Sequence, residues 1–230
     1  MSGKLIVFEG VEGGGKTSQI RRSQAWLSAS GWLDQLRQTT PALPDPLLIT
    51  REPGGTELGK YLRQLLLSPA TQETLHDRAE LMLYAADRAQ HVEYLLKPHL
   101  AAGGLVLCDR FTDSTIAYQG YGRGLNLSLI QQLNQIATGG LTSDLTFWLD
   151  VEVSIGLGRA QQRNKDLDRM ESATLSFHQR VQHGFQALLH QHPERIVRID
   201  ASQSEQVVFE QIQTLLSQRL QQWYPQLLPL

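Results

Sequence analysis

The chain has 230 residues and one cysteine, Cys108, which excludes an intramolecular disulfide framework and a cysteine-ligated zinc site. An excess of one charge is missing too. Lys and Arg total 21 against 23 Asp and Glu, a formal net charge of −2. That balance excludes the bulk basic field that gathers nucleic acid or an acidic membrane surface. No run approaches the ~18 apolar residues needed to span a bilayer. The opening stretch, MSGKLIVFEG, is too short in apolar residues for a signal-peptide core. A lone thiol and no export signal make the cytoplasm the expected compartment. Aromatics are only 7%, but apolar residues reach 41%, enough for a sizeable core without staples.

Short apolar, β-rich runs at 5–8, 47–50, 105–108, 145–149 and 196–199 predict five buried strands. Between them, helical periodicity predicts helices over 16–30, 57–67, 75–100, 113–119, 128–138, 171–190 and 204–222, with another starting near 153. The proline-dense stretch 39–46 reads as a surface loop, and the polar stretch 161–168 interrupts the helix that starts near 153. Strand and helix alternate throughout, with no repeat and no linker. The expectation is one α/β domain, a parallel sheet covered on both faces.

The sharpest motif is Gly10-Val11-Glu12-Gly13-Gly14-Gly15-Lys16-Thr17, which satisfies G-x-x-x-x-G-K-[ST] between a predicted strand and a predicted helix. Glycines there let successive N–H groups turn inward around phosphate oxygens at a helix N-terminus. Lys16 would reach the β- and γ-phosphates of a nucleotide, and the Thr17 hydroxyl would ligate Mg²⁺. The pattern specifies nucleotide binding and leaves the phosphate acceptor open.

Further features bear on the acceptor. Arg51 ends the second predicted strand and starts Arg51-Glu52-Pro53-Gly54-Gly55-Thr56, so it would point into the crevice at the strands' carboxyl ends. Taken alone it reads better as a surface arginine before a turn. Tyr84 and Arg88, four apart on a helix, share a face and could stack a base and hold its phosphate. Such a ring taken alone is more often core. Asp109 follows the third strand beside Arg110 and resembles the carboxylate that holds Mg²⁺ through water. Asp150 competes for that role, and the adjacent Arg110 favours Asp109. Ser114, Thr115, Tyr118 and Gln119 continue with polar groups suited to a base and sugar. The charged stretch 159–169 is either a solvated loop or a lid whose arginines close over a transferring phosphoryl group.

Together these motifs resemble the thymidylate kinase family. The P-loop, R-E-P-G-G-T, A-A-D-R-A-Q-H, D-R-F-T-D-S-T-I-A-Y-Q-G and L-D-R-M-E segments stand in order at 10–17, 51–56, 85–91, 109–120 and 167–171. The resemblance implies a P-loop nucleoside monophosphate kinase fold, a three-layer sandwich with a central five-stranded parallel sheet. It implies phosphorylation of dTMP to dTDP by ATP and Mg²⁺, and a homodimer. It further implies that Glu12 lies near the acceptor sugar and that Arg51, Arg88 and Arg110 contact the acceptor phosphate or lie beside the transferring group. By the same resemblance Tyr84 stacks on thymine, while Thr115, Tyr118 and Gln119 line the base and sugar. Gly13 occupies the position where one branch of the family carries a catalytic arginine. Arg163, with Arg159, matches the lid arginines of the other, bacterial branch, in a lid at about 159–170.

A phosphate monoester has a second pKa near ~6 and is mostly a dianion at neutral pH, so the acceptor needs no general base. A deoxynucleoside kinase would need one, with Glu9 or Glu12 in that role. A regulatory P-loop NTPase is the third reading. The arginines at successive strand ends, and the lack of a guanine-reading N-K-x-D, stand against it.

Overall fold

The computed structural model describes residues 2–68, 73–163, 169, 170 and 172–227, residue 163 for its backbone alone. The five β-rich runs form β1 (Lys4–Glu9), β2 (Leu47–Arg51), β3 (Leu105–Asp109), β4 (Leu145–Asp150) and β5 (Ile196–Asp200). All adjacent pairs are parallel, in the order β2-β3-β1-β4-β5. The side-chain period of two sorts the central strands between two cores. Ile6, Phe8, Leu105 and Leu107 join one buried cluster, while Leu5, Val7, Val106 and Cys108 join the other. With both faces covered, a strand must be apolar at every position, which is why these runs read as continuous rather than alternating.

In chain order the helices are α1 (Lys16–Ala29), α2 (Trp32–Thr39), α3 (Glu57–Leu67), α4 (Asp77–His91), α5 (Lys97–Ala101), α6 (Thr112–Thr115), α7 (Leu127–Thr138), α8 (Val153–Arg163), α9 (Leu175–Gln191) and α10 (Glu205–Trp223). The first core receives Ile20 and Leu27 from α1, Val181 and Phe185 from α9, and Ile212 and Leu216 from α10. Val92 and Leu96, just after α4, and Leu100 on α5 cover the other face. Helix, sheet and helix make three layers, as expected.

Local differences from the sequence expectation have local causes. Gly31, at φ 77°, ends α1 and also stands at the N-cap of α2, whose Trp32, Leu33 and Leu36 bury one face. The glycine is a corner between two helices. The long helix over 75–100 begins at Asp77 and passes through a π turn, Val92–Leu96, into α5, where Pro98 has no N–H to donate. The helix expected over 113–119 is only α6, followed by a second π turn, Ile116–Gly122. The helix expected from 171 starts at Leu175, because the Thr174 hydroxyl caps it by accepting from the Phe177 N–H at 3.3 Å. Beyond α10, Tyr224 and Leu227 fold back into the first core.

This topology fixes the site. β1 and β3 lie side by side, and the chain leaves them in opposite directions, toward β2 from one and toward β4 from the other. Their carboxyl ends therefore open a crevice.

Candidate active site

The loop after β1 delivers α1 with Lys16 as its first residue and Gly15, at φ 88°, as its N-cap. Gly13, at φ 69°, is required by proximity as well as conformation. A Cβ there would lie 1.9 Å from the carbonyl oxygen of Gly156 on α8. The chain accordingly has no room for a P-loop arginine at this position. Lys16 is buried, and its ammonium donates to the carbonyls of Gly10 and Val11, both at 3.1 Å. Burial, and then the Arg110 charge, hold its pKa below the usual lysine value. Thr17 Oγ1 donates to Asp109 Oδ2 at 3.2 Å, bringing the hydroxyl after β1 to the carboxylate at the end of β3.

Arg110 is the one residue other than glycine with positive φ, 71°, among the described residues. An L-residue held there is strained, and such positions concentrate at functional sites. Its guanidinium donates to Gly10 O at 3.0 Å and Ser114 Oγ at 3.1 Å, pairs with the Glu12 carboxylate, and lies 4.8 Å over the Tyr118 ring. The Tyr118 hydroxyl donates to Glu12 at 3.4 Å, and burial pushes the phenol pKa up.

Arg88 enters from α4, 2% exposed. It donates to Glu52 Oε2 at 2.8 Å, Thr115 Oγ1 at 2.8 Å, Asn134 Oδ1 at 2.7 Å and Phe111 O at 2.9 Å. Glu52 is held in turn by His91 Nδ1 at 2.8 Å, whose Nε2 meets Thr50 Oγ1 at 2.7 Å. Next to this chain, Asp87 Oδ1 accepts from the Gly54 N–H at 3.1 Å, and burial followed by the Glu52 charge pushes its pKa up to about 6.

Lys16, Thr17, Glu52, Arg88, Asp109 and Arg110 share one cavity of about 250 Å³. Of the residues expected from sequence, Glu12, Gly13, Gly15, Lys16, Thr17, Arg51, Tyr84, Arg88, Asp109, Arg110, Ser114, Thr115, Tyr118 and Gln119 all line it. Gly10 contributes its carbonyl from behind, and Val11 and Gly14 complete the loop without lining the cavity. Arg159 is not brought in, because its guanidinium donates to the carbonyls of Ala201 at 2.9 Å and Ser202 at 3.4 Å. The side chain of Arg163 and residues 164–168 of the expected lid lie outside the described residues. Asp150, the competitor of Asp109, is engaged by Gln182 and by Arg198, each at 2.7 Å.

Sequence reasoning missed Glu52, Arg63, Leu67 and Met170 in the cavity wall, and His91 and Asn134 behind it. For Glu52 and His91 a signal existed. Glu52 follows Arg51 directly, and His91 falls three residues after Arg88, near enough on the helix for one carboxylate to reach both. Arg63 carried no comparable mark.

A family model described as thymidylate kinase matches residues 8–212. A thymidylate kinase of a Cyanothece species is 63% identical over 98% of each chain. One from Acaryochloris marina is 57% identical over 98% of this chain and all of its own. The crystal structure of a thymidylate kinase from Ehrlichia chaffeensis, 32% identical, superposes with a TM-score of 0.73 over 94% of this chain and 100% of that one.

Proposed function

The chain belongs to the thymidylate kinase family, and from that membership we propose how its cavity phosphorylates dTMP to dTDP with ATP, in the route to dTTP. The observation that carries the assignment is convergence. Lys16, Arg51, Arg88 and Arg110 come from four separate segments and meet in one cavity at the carboxyl ends of β1, β2 and β3.

The ATP phosphates take the amide cradle of residues 10–15 and the N-terminus of α1. Lys16, already desolvated and directed across the loop, exchanges its carbonyl partners for β- and γ-phosphate oxygens. The dTMP phosphate sits toward Arg51 and Arg110, and its base between Tyr84 and the segment containing Thr115 and Gln119. Glu12 and Tyr118 meet the sugar. A dianionic phosphate oxygen of dTMP attacks the γ-phosphorus as the bond to the β–γ bridging oxygen breaks, and ADP leaves. Two polyanions must approach for this, and the convergent cations offset their repulsion. On the family resemblance, a lid over 159–170 adds the charge of Arg163 to the donor side, and that of Arg159 only once it leaves the Ala201 and Ser202 carbonyls that hold it here, and the whole chain acts as one kinase domain.

Mg²⁺ fits the donor set. Thr17 Oγ1 and Asp109 stand together, and Asp109 Oδ1 is buried with no hydrogen-bond partner. These two residues would hold the ion, which when bound neutralises charge on the nucleotide phosphates.

Neither carboxylate that a nucleoside kinase would use as base is available. Glu12 is paired with Arg110, and Glu9 is fully buried and accepts from the Phe111 and Ser114 backbones. A phosphate acceptor has no need of either. A coupled assay with ATP and Mg²⁺ tests the reading. Turnover is expected with dTMP and not with thymidine, and phosphorylation of thymidine alone would overturn it.

The working unit is a homodimer in the cytoplasm. Leu58, Tyr61 and Leu65 form one exposed face of α3, joined by Met82 on α4, Tyr94 just beyond it and Ile136 on α7. These helices pack side by side, α3 on α4 and α4 on α7, so their exposed apolar groups supply a surface for a second copy. The single thiol, Cys108, is buried and its pKa is pushed up by burial, which suits a reducing compartment. Among the described residues, no helix is long and apolar enough to cross a membrane.

A further inference from the structure

Glu9 is the last residue of β1, next to the phosphate loop, yet it does not line the cavity. It is 0% exposed, and three donors occupy its carboxylate. Oε1 accepts from the Phe111 N–H at 2.8 Å and the Ser114 N–H at 3.1 Å, and Oε2 accepts from Ser114 Oγ at 2.5 Å. All three donors lie in the turn immediately after Arg110. The same Ser114 oxygen accepts from Arg110 Nη1. A buried carboxylate needs strong reason to persist, and here its partners all belong to one short segment.

We infer that Glu9 is a positioning residue for the Arg110 guanidinium, acting through Ser114 Oγ and through the turn that holds Arg110 in its left-handed backbone conformation. Two features of the geometry lead there. First, a serine hydroxyl has one proton. With that proton committed to Glu9, the lone pairs of Ser114 Oγ are left for Arg110, which can only donate, so the hydroxyl is held in the one orientation that serves both partners. Second, the Phe111 and Ser114 N–H groups bound to one carboxylate oxygen clamp the chain on the far side of the strained residue. The energy needed to keep Arg110 at φ 71° is thereby supplied by its neighbours. Glu9 touches no substrate in this arrangement and takes no proton from one.

The inference rests on the proposed role of Arg110, so the experiment separates the two. Steady-state kinetics on wild type, Glu9→Gln, Arg110→Ala and the double variant form a cycle. Gln keeps the shape and one acceptor oxygen, but presents an NH₂ to Ser114 and turns its hydroxyl away from the relay. Glu9→Gln is expected to lower kcat about 10- to 100-fold with KM for ATP within about twofold. In the Arg110→Ala background the same change is expected to cost nothing further. Ser114→Ala breaks the relay from the other end. Because Ser114 also lines the cavity, only its coupling is read: its loss of kcat is expected to be smaller in an Arg110→Ala background than in wild type, and this cycle replaces the Glu9→Gln cycle if that variant fails to fold. Losses that multiply in the double variant, or a folded Glu9→Gln enzyme with wild-type kcat, would overturn the inference. Wild-type turnover in Arg110→Ala alone would instead remove the role assigned to Arg110.

Discussion

Lys16 and Arg110 both donate to the Gly10 carbonyl, so two cations from distant parts of the chain share one acceptor at the back of the phosphate loop. Such groups hold charge in place before the reaction begins, and removing one preorganised donor typically costs about 10²–10³ in kcat. Lys16→Met and Arg110→Ala are each expected to fall by at least that much in the coupled assay, with thermal midpoints close to wild type. Turnover near wild type in either would refute its role. Asp87 behaves differently. Its carboxyl pKa rises from 3.8 to about 6 on folding, because burial and Glu52 disfavour the charge. A raised carboxyl pKa means that the folded state binds the proton more tightly. The stability it contributes is therefore complete below about pH 4 and is lost as pH rises through about 6. Asp87→Asn keeps an oxygen for the Gly54 N–H and should be more stable than wild type by about 1–3 kcal/mol at pH 8. That advantage should shrink toward pH 4, and denaturant unfolding at the two pH values would measure it. A difference independent of pH would contradict the assignment. Arg51 and Arg110 were legible in the sequence because each stands at a strand's carboxyl end, which points to one crevice, whereas Arg88 was marked only by its four-residue spacing from Tyr84 on a helix. The Glu52–His91 pair behind Arg88 was not, because it depends on β2 and α4 meeting in space.

At the scale of elements, the phosphate loop and α8 are packed backbone to backbone. A Cβ on Gly13 would meet Gly156 O, and a Cβ on Gly156 would lie 2.5 Å from Glu12 O. This contact couples the donor cradle to the first turns of the helix that leads toward the expected lid. Gly156→Ala is expected to destabilise the fold by about 1–3 kcal/mol and to raise KM for ATP while leaving KM for dTMP unchanged. Unfolding curves and steady-state kinetics would check it, and two unaltered values would show that the contact is incidental. The strands and most helices could be read from the sequence, since their signals are local runs, periodicities and caps. The two π turns could not, because a shift from four to five residues per hydrogen bond leaves no mark in apolar spacing. α2 was hidden by Gly31, whose left-handed backbone suits a helix end and a new helix start equally well.

For the whole molecule, sheet order turns scattered motifs into a site. Only with β1 between β3 and β4 do the loop 10–17 and the Asp109–Arg110 pair face each other, and β2 beside β3 then brings Arg51 to the same edge. The exposed apolar groups of α3, α4 and α7 belong to this scale too. Sedimentation is expected to give twice the chain mass, and Ile136→Glu, at a side chain 77% exposed, should shift it toward the monomer. A wild-type chain that sediments as a monomer at all concentrations would rule out the dimer. The central claim is that one cavity seats two anions, one on the amides of residues 10–15 and one among the arginines. A crystal structure with a non-hydrolysable ATP analogue and dTMP measures this directly. The account predicts the γ-phosphate on Lys16, the dTMP phosphate at Arg51 and Arg110, and the two facing each other. A dTMP phosphate bound away from Arg51 and Arg110 would contradict it.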